Sequence, residues 1–300
     1  MNQSLSQTRI SLLAWILLGA LALIWGTSFL SNRAALAGAG VLTVVTFRVA
    51  LGAAVLWAWV LYRRLPVPND RRILTRFVIM GALNNAIPFS LIVWGQKHID
   101  SGLASILNAS TAIFGVVIAA AVFADERLTS ARALGALIGF AGVVLAIGPD
   151  ALAGFDLASA GQMAVIGASI AYGFAGAYAR HATRGLAPEV AAAGMLSGAT
   201  LWMVPAMLTI EGVPNFDWAP SVWVGLIWLA AGCSALAYIL YYRILALAGS
   251  GNLLLVTLLI PPVAIVAGAL VYGERVGLNA LAGFGLLAVG LVVLNRTKTP

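Results

Sequence analysis

Few residues in this chain could do chemistry in an apolar environment, and they fall in patches. Asn84, Asn85 and Pro88 sit midway through a long apolar stretch. Adjacent side chains on a helix point about 100° apart, so at least one of the two Asn must face inward. Pro88 has no backbone N–H and frees the carbonyl of Asn84. That carbonyl could accept from an ammonium group or a polar ligand; interhelical hydrogen bonding is the structural alternative. Asn108, Ser110 and Thr111 form a second polar stretch, and Thr257, Pro261 and Pro262 a third. Two successive prolines remove two backbone bonds and are expected to kink or open a helix. Arg48 is the one charge well inside an apolar run, at a depth of roughly 9 Å for 1.5 Å per residue. It is a structural or gating charge that snorkels or bonds a helix terminus, or it pairs bidentately with a substrate carboxylate. Trp25, Tyr172 and Tyr238 also lie deep. They offer faces for stacking and cation–π contacts, or they simply pack.

What is missing narrows the chemistry. No Asp or Glu lies near the middle of an apolar stretch. His98 follows Lys97 at the end of one, and His181 lies in the basic segment Arg180–Arg184. Without an embedded general base, a membrane enzyme is not expected. Movement down a substrate gradient is expected instead, with coupling through a loop-end residue such as Asp125 or His98 as the alternative. The single Cys233 allows no internal disulfide and no metal site, and no cofactor is expected.

The elements that position these residues are apolar throughout. The chain has 300 residues, 62% hydrophobic and 9% charged, against roughly 25% charged in soluble domains. Its mean hydropathy is +1.00. A soluble enzyme, a disordered chain and a coiled coil are excluded. At about 20 apolar residues per crossing, ten spans are expected at 10–31, 42–62, 73–95, 102–123, 130–148, 158–179, 188–210, 219–241, 250–272 and 278–295. The predicted fold is an all-α integral membrane protein. No Walker A sequence is present to supply ATP hydrolysis.

Lys and Arg alternate between the two sides of these spans. Arg9, Arg63, Arg64, Arg71, Arg72, Arg76, Arg127, Arg132, Arg180, Arg184, Arg243, Arg296 and Lys298 fall on one side, and Arg33, Lys97 and Arg275 on the other. The basic side is the cytoplasmic one, so both termini are expected inside. The net charge of +7 then reflects topology and anionic lipid, and no nucleic-acid partner is expected.

The chain also repeats itself. Ser101–Gly102 matches Ser250–Gly251, Glu126–Arg127 matches Glu274–Arg275, and Gly135 and Gly142 match Gly283 and Gly290. Gly26 and Arg33 match Gly173 and Arg180, and the offset stays between 147 and 149. Two halves, 1–148 and 149–300, of five spans each are expected. Five is odd, so the second half enters the membrane inverted, an architecture used for alternating access. In this register Asn84 matches Cys233, Asn85 matches Ser234, and Pro88 falls one position before Tyr238. A cavity is therefore expected among spans three, four, eight and nine, with one and six contributing.

Trp15, Trp57, Trp59, Tyr62, Trp94, Trp218, Trp223, Tyr241 and Tyr242 fall near span ends, where interfacial belts account for them. The glycines of spans five and ten allow close helix packing. Those spans are read as scaffold, with a homodimer contact there the lesser alternative; the state expected is a monomer or weak homodimer.

These residues together resemble the drug/metabolite transporter superfamily, EamA type. The resemblance rests on Ala22-Leu23-Ile24-Trp25-Gly26-Thr27-Ser28-Phe29, Phe47-Arg48 followed by small residues, Glu126-Arg127, Ile260-Pro261 and Gly273-Glu274-Arg275. Thr111-Ala112-Ile113 stands where a proline matching Pro261 is often found, so span four is expected to bend less than span nine. The resemblance implies a ten-helix carrier of small metabolites, often an exporter, in a bacterial inner membrane. It is similar to the aromatic amino-acid exporter branch. The expected function is alternating-access export of amino acids including aromatic ones, facilitative, with Trp25, Asn84, Asn85, Pro88, Asn108, Thr111, Tyr172, Ser234, Tyr238, Thr257 and Pro261 binding substrate. Proton-coupled drug or metabolite efflux is the alternative.

Overall fold

A computed structural model describes residues 11–68, 70–123, 130–147, 157–183, 185–253 and 256–296. Among the described residues the chain is helical and carries no strand. The helices are α1 (Leu12–Leu36), α2 (Val41–Tyr62), α3 (Arg71–Gly95), α4 (Ser101–Val122), α5 (Ser130–Ile147), α6 (Leu157–Ala182), α7 (Pro188–Ile210), α8 (Pro220–Leu253 in three joined pieces), α9 (Val256–Tyr272) and α10 (Leu278–Arg296). Six of them are long and apolar enough to cross a membrane: α1, α2, α3, α4, α7 and the Pro220–Ile244 part of α8. Shorter apolar stretches occupy Ala133–Ala146, Leu259–Tyr272 and Leu278–Gly290. Met1–Ile10, Asp125, Glu126–Arg127, Arg184 and Lys298 lie outside the described residues.

Starts and stops follow local chemistry. Ser11 Oγ accepts from Ala14 N–H at 3.2 Å and Asp70 Oδ1 from Arg72 N–H at 2.8 Å, each satisfying an amide with no intrahelical partner. Pro188 and Pro220 open α7 and α8, where a missing N–H costs nothing. The start of α2 is different. Its N-cap Gly40 has no side chain to offer, and the carboxylate of Glu211, just past α7, takes that place. It accepts from Leu42 N–H at 2.9 Å, Thr43 N–H at 2.8 Å and Thr43 Oγ at 2.8 Å.

The packing follows a rule of exchange. α1 packs on α8 and α9, and α6 packs on α3 and α4. α2 packs on α8, and α7 on α3; α2 meets α7, α4 meets α9, and α5 meets α10. Moving each helix five places along turns this set of pairings into itself. The α5–α10 pair is the most intimate. A Cβ added at Gly142 would meet Leu287 N at 2.6 Å and Gly283 O at 2.7 Å, and one at Gly290 would meet Gly139 N at 2.6 Å. These glycines are used in a contact inside the chain.

Two differences from the expected spans stand out. α8 remains helical to Leu253, past the loop expected after 241. The stretch Ile244-Leu245-Ala246-Leu247-Ala248 consists of helix formers, and the two nearby glycines do not outweigh them. The interruption in helix winding also falls away from the prolines. α9 runs unbroken through Pro261 and Pro262, whereas α4 breaks between Asn108 and Thr111 without a proline. There Ser110 Oγ donates to Leu107 O at 2.6 Å and Thr111 Oγ donates to Asn108 O at 2.7 Å. Thr27, Ser28 and Ser31 make the same backward bonds in α1, which stays unbroken, so these bonds accompany the α4 break without accounting for it.

Candidate functional site

α3 and α8 position the site through the same device. In α3 the residues Ala82–Ala86 are wound as a π-helix, and Ile87 N–H bonds Ala82 O, five residues back. In α8 the residues Trp228–Leu236 are wound likewise, and Ala237 N–H bonds Gly232 O. Single π turns recur at functional sites because they re-aim side chains. Pro88 follows the α3 turn directly; α8 has no proline in or after its π turn, so the loss of an N–H is not the common cause.

The π turn brings both asparagines to one point. Asn84 Nδ2 donates to Tyr238 Oη at 3.1 Å, and Asn85 Nδ2 donates to the same oxygen at 3.2 Å. Asn84 also lies 3.3 Å from Met195 Sδ on α7. Asn85 is fully buried, and its Oδ1 has no hydrogen-bond partner. One turn before Tyr238, Ser234 Oγ donates to Leu229 O at 3.0 Å and accepts from Arg48 Nε at 3.3 Å. Gly52, one turn after Arg48, lets α2 approach: a Cβ there would meet Ser234 Cβ at 3.0 Å and Ala230 O at 3.3 Å.

Arg48 is only 6% exposed. Its guanidinium lies over the Phe89 ring at 3.7 Å, and it is within electrostatic reach of Tyr172, Cys233 and Tyr238. Among the described residues no carboxylate pairs with it; the ion pairs formed are those of Arg33. Trp25 closes another side, its Nε1 donating to Cys233 O at 3.1 Å and its ring 5.9 Å from that of Tyr241. The arrangement is thus one unpaired cation, a two-amide grip on a phenol, an orphaned amide oxygen and several aromatic faces. It can orient a small polar ligand with an apolar body.

Of the residues expected from sequence, Trp25, Arg48, Asn84, Asn85, Tyr172, Ser234 and Tyr238 meet here. Pro88 is buried beside them on α3. Asn108 and Thr111 lie at the α4 break, where Ser169 of α6 reaches Leu107 O at 3.3 Å and Asn108 O at 3.5 Å. Asn108 Oδ1 is buried without a partner. Pro261 is buried and Thr257 half-buried on α9, the helix packed against α1. Phe89, Met195 and Tyr241 join the site without having been expected. Phe89 follows Asn85 by four residues, a spacing that shares a helix face and could have found it. Tyr241 was masked by its place near a span end. Trp57 and the Trp218–Trp223 pair, near helix ends, also make contacts of their own. Trp57 Nε1 donates to Ser197 Oγ at 2.8 Å, and Phe47, Phe216, Trp218 and Trp223 pack ring on ring at 5.0 to 6.4 Å.

A second polar group closes one end of the bundle. Arg33 on α1 pairs with Glu274 after α9 and lies 3.5 Å from Asp100. Glu274 Oε2 also accepts from Gly102 N–H at 3.4 Å. Beside it Gln96 accepts from Asn32 Nδ2 at 2.8 Å and donates to Phe29 O at 2.9 Å. Burial pushes the Asp100 carboxyl up from its usual 3.8, the Glu274 charge adds to this, and Arg33 opposes it.

Such a multi-pass bundle with a buried polar centre has the architecture of the membrane transporters, and its relatives place it in that class. The chain is a member of the EamA-like transporter family, whose model matches residues 12–148 and again 159–296. A probable terminal-alkyne amino-acid exporter of Streptantibioticus cattleyicolor is 30% identical over 277 residues, covering 91% of this chain and 90% of that protein. The uncharacterized transporter YoaV of Bacillus subtilis is 21% identical, covering 90% of this chain and 92% of its own. A solved crystal structure superposes with a TM-score of 0.66 at 20% identity, covering 94% of this chain and 96% of that one; this likeness is one of fold. The two-repeat membrane fold of the family fits the helices described above.

Proposed function

We propose that this chain is an alternating-access exporter of amino acids, aromatic ones included, in a bacterial inner membrane. Ten spans would form two inverted five-helix repeats, 1–148 and 149–300, with both termini cytoplasmic. The observation that carries the reading is the Asn84–Tyr238–Asn85 junction with Arg48 and Ser234 beside it. It ties α3 of one half to α8 of the other, at the depth where the paired π turns fall. Buried polar groups at such a depth are costly and mark substrate paths by default. The similarity to a probable amino-acid exporter over nearly the whole chain supports the substrate class. The lack of a carboxylate near the middle of any span supports facilitation, with the substrate gradient setting direction.

Substrate binding would involve Trp25, Asn84, Asn85, Pro88, Tyr172, Ser234 and Tyr238, with Asn108, Thr111, Thr257 and Pro261 on the flanking helices α4 and α9. Rocking of the halves would expose this centre to one side and then the other. Alanine variants of Asn84, Ser234 and Tyr238 test the placement in proteoliposomes. Each should lose most amino-acid counterflow while keeping its elution profile in detergent. Wild-type rates from all three would remove the site from this centre.

A further inference from the structure

We propose that Arg48 binds the carboxylate of the transported molecule and that Asn85 Oδ1 accepts from its ammonium group. The site is thereby built for zwitterionic α-amino acids with both groups free. This deepens the exporter reading and rests on it.

The argument begins with cost. A buried guanidinium without an anionic partner is among the most expensive groups a membrane protein can hold. The contacts of Arg48 offset only part of it. Its Nε is spent on a neutral hydroxyl, Ser234 Oγ, and one face rests on Phe89. Among the described residues its two terminal nitrogens have no hydrogen-bond partner and no carboxylate within ion-pair distance. Those two nitrogens form the edge of the fork that matches a carboxylate in bidentate geometry.

The second observation is independent. Asn85 is 0% exposed, its amide nitrogen is engaged with Tyr238, and its oxygen is left without a donor. A buried acceptor in that condition is costly unless something supplies the missing proton donor. Ser234, which holds Arg48, and Tyr238, which holds Asn85, are one helical turn apart on α8. The unpaired cation and the unpaired acceptor are thus each tied to one of two neighbouring turns of the same helix. The two vacancies have opposite needs, and a single α-amino acid supplies both. Its side chain would then meet the aromatic faces of Trp25 and Tyr172, which suits an aromatic amino acid.

Counterflow competition in proteoliposomes tests this. With wild-type protein and labelled tryptophan, tryptophanamide (carboxylate neutralised) and indole-3-propionate (amine removed) should each compete at least about tenfold more weakly than tryptophan. In Arg48→Gln the preference of tryptophan over the amide should collapse to within about twofold, and Arg48→Lys should restore part of it. Asn85→Leu should lose the preference over indole-3-propionate while keeping that over the amide. An amide that competes as well as tryptophan on the wild type overturns the proposal without any variant. So does an Arg48→Gln protein that retains full discrimination. A wild type that carries no amino acid overturns the exporter reading itself, which is a different result.

Discussion

Removing the Glu211 carboxylate should loosen the bundle at one end, by an amount that can be worked out. Glu211 follows α7 and caps α2, a helix of the other half, with three accepted hydrogen bonds of 2.8 to 2.9 Å. Gly40 provides no side-chain cap of its own. Loss of a side-chain cap costs about 0.5–2 kcal/mol, and a negative charge at a helix N-terminus adds about 0.3–1 kcal/mol. Glu211 is exposed, so water replaces part of what is lost and the full value of a buried charged bond does not apply. Glu211→Ala should therefore destabilise by about 1–2 kcal/mol. Glu211→Gln keeps an acceptor and should cost about half as much. Thr43→Val removes the hydroxyl bond alone and should cost about 0.5–1 kcal/mol. Equilibrium unfolding by SDS titration from detergent micelles, followed by circular dichroism, measures all three. A Glu211→Ala protein within about 0.3 kcal/mol of wild type would show that the cap contributes nothing, and the account of how α2 is anchored would fail.

Other outcomes follow from the same geometry. Gly142→Leu and Gly283→Leu should abolish stable expression, because the added atoms meet backbone of the facing helix that cannot move aside; Gly176→Ala, with open space around its Cβ, should be neutral or stabilising by up to about 1 kcal/mol. Tyr238→Phe leaves two amide donors without their shared acceptor and should cost about 1–3 kcal/mol in the same titration, with counterflow reduced as well. Asp100 has its carboxyl pKa raised above 3.8 in the folded protein. The folded state then binds more protons than the unfolded one as pH climbs past 3.8, and stability declines through the folded value. Asp100→Asn should remove this decline, so its stability relative to wild type should improve between pH 4 and pH 7 in melts across that range.

Much of the architecture was legible in the sequence, because hydropathy alone marks stretches long enough to span a bilayer. The link between Asn84, Asn85, Ser234 and Tyr238 was legible for another reason: the repeat register places them opposite each other. Trp25 and Arg48 stood out as the deep aromatic and the deep charge. The remainder depended on tertiary packing. Nothing local in Trp228–Leu236 marks a π turn, since no proline is present to force it. The break in α4 falls where no proline stands, while the prolines of α9 leave that helix unbroken. Glu211 looks like an exposed loop acid until α2 is placed beside it. Tyr241 and Trp57 share the sequence position of interfacial residues, and only the packing of α1 and α7 shows their contacts with Trp25 and Ser197.

The central claim is that this chain carries amino acids down their gradient through one centre shared by its halves. Uptake of labelled tryptophan, phenylalanine, threonine and methionine into proteoliposomes, with and without a pH gradient, tests it most directly. The account predicts saturable uptake, with the aromatic amino acids preferred and the rates unchanged by the gradient. Uptake that vanishes without the gradient would contradict facilitation and place a proton on the path. No uptake of any of the four would contradict the amino-acid reading and leave only the fold.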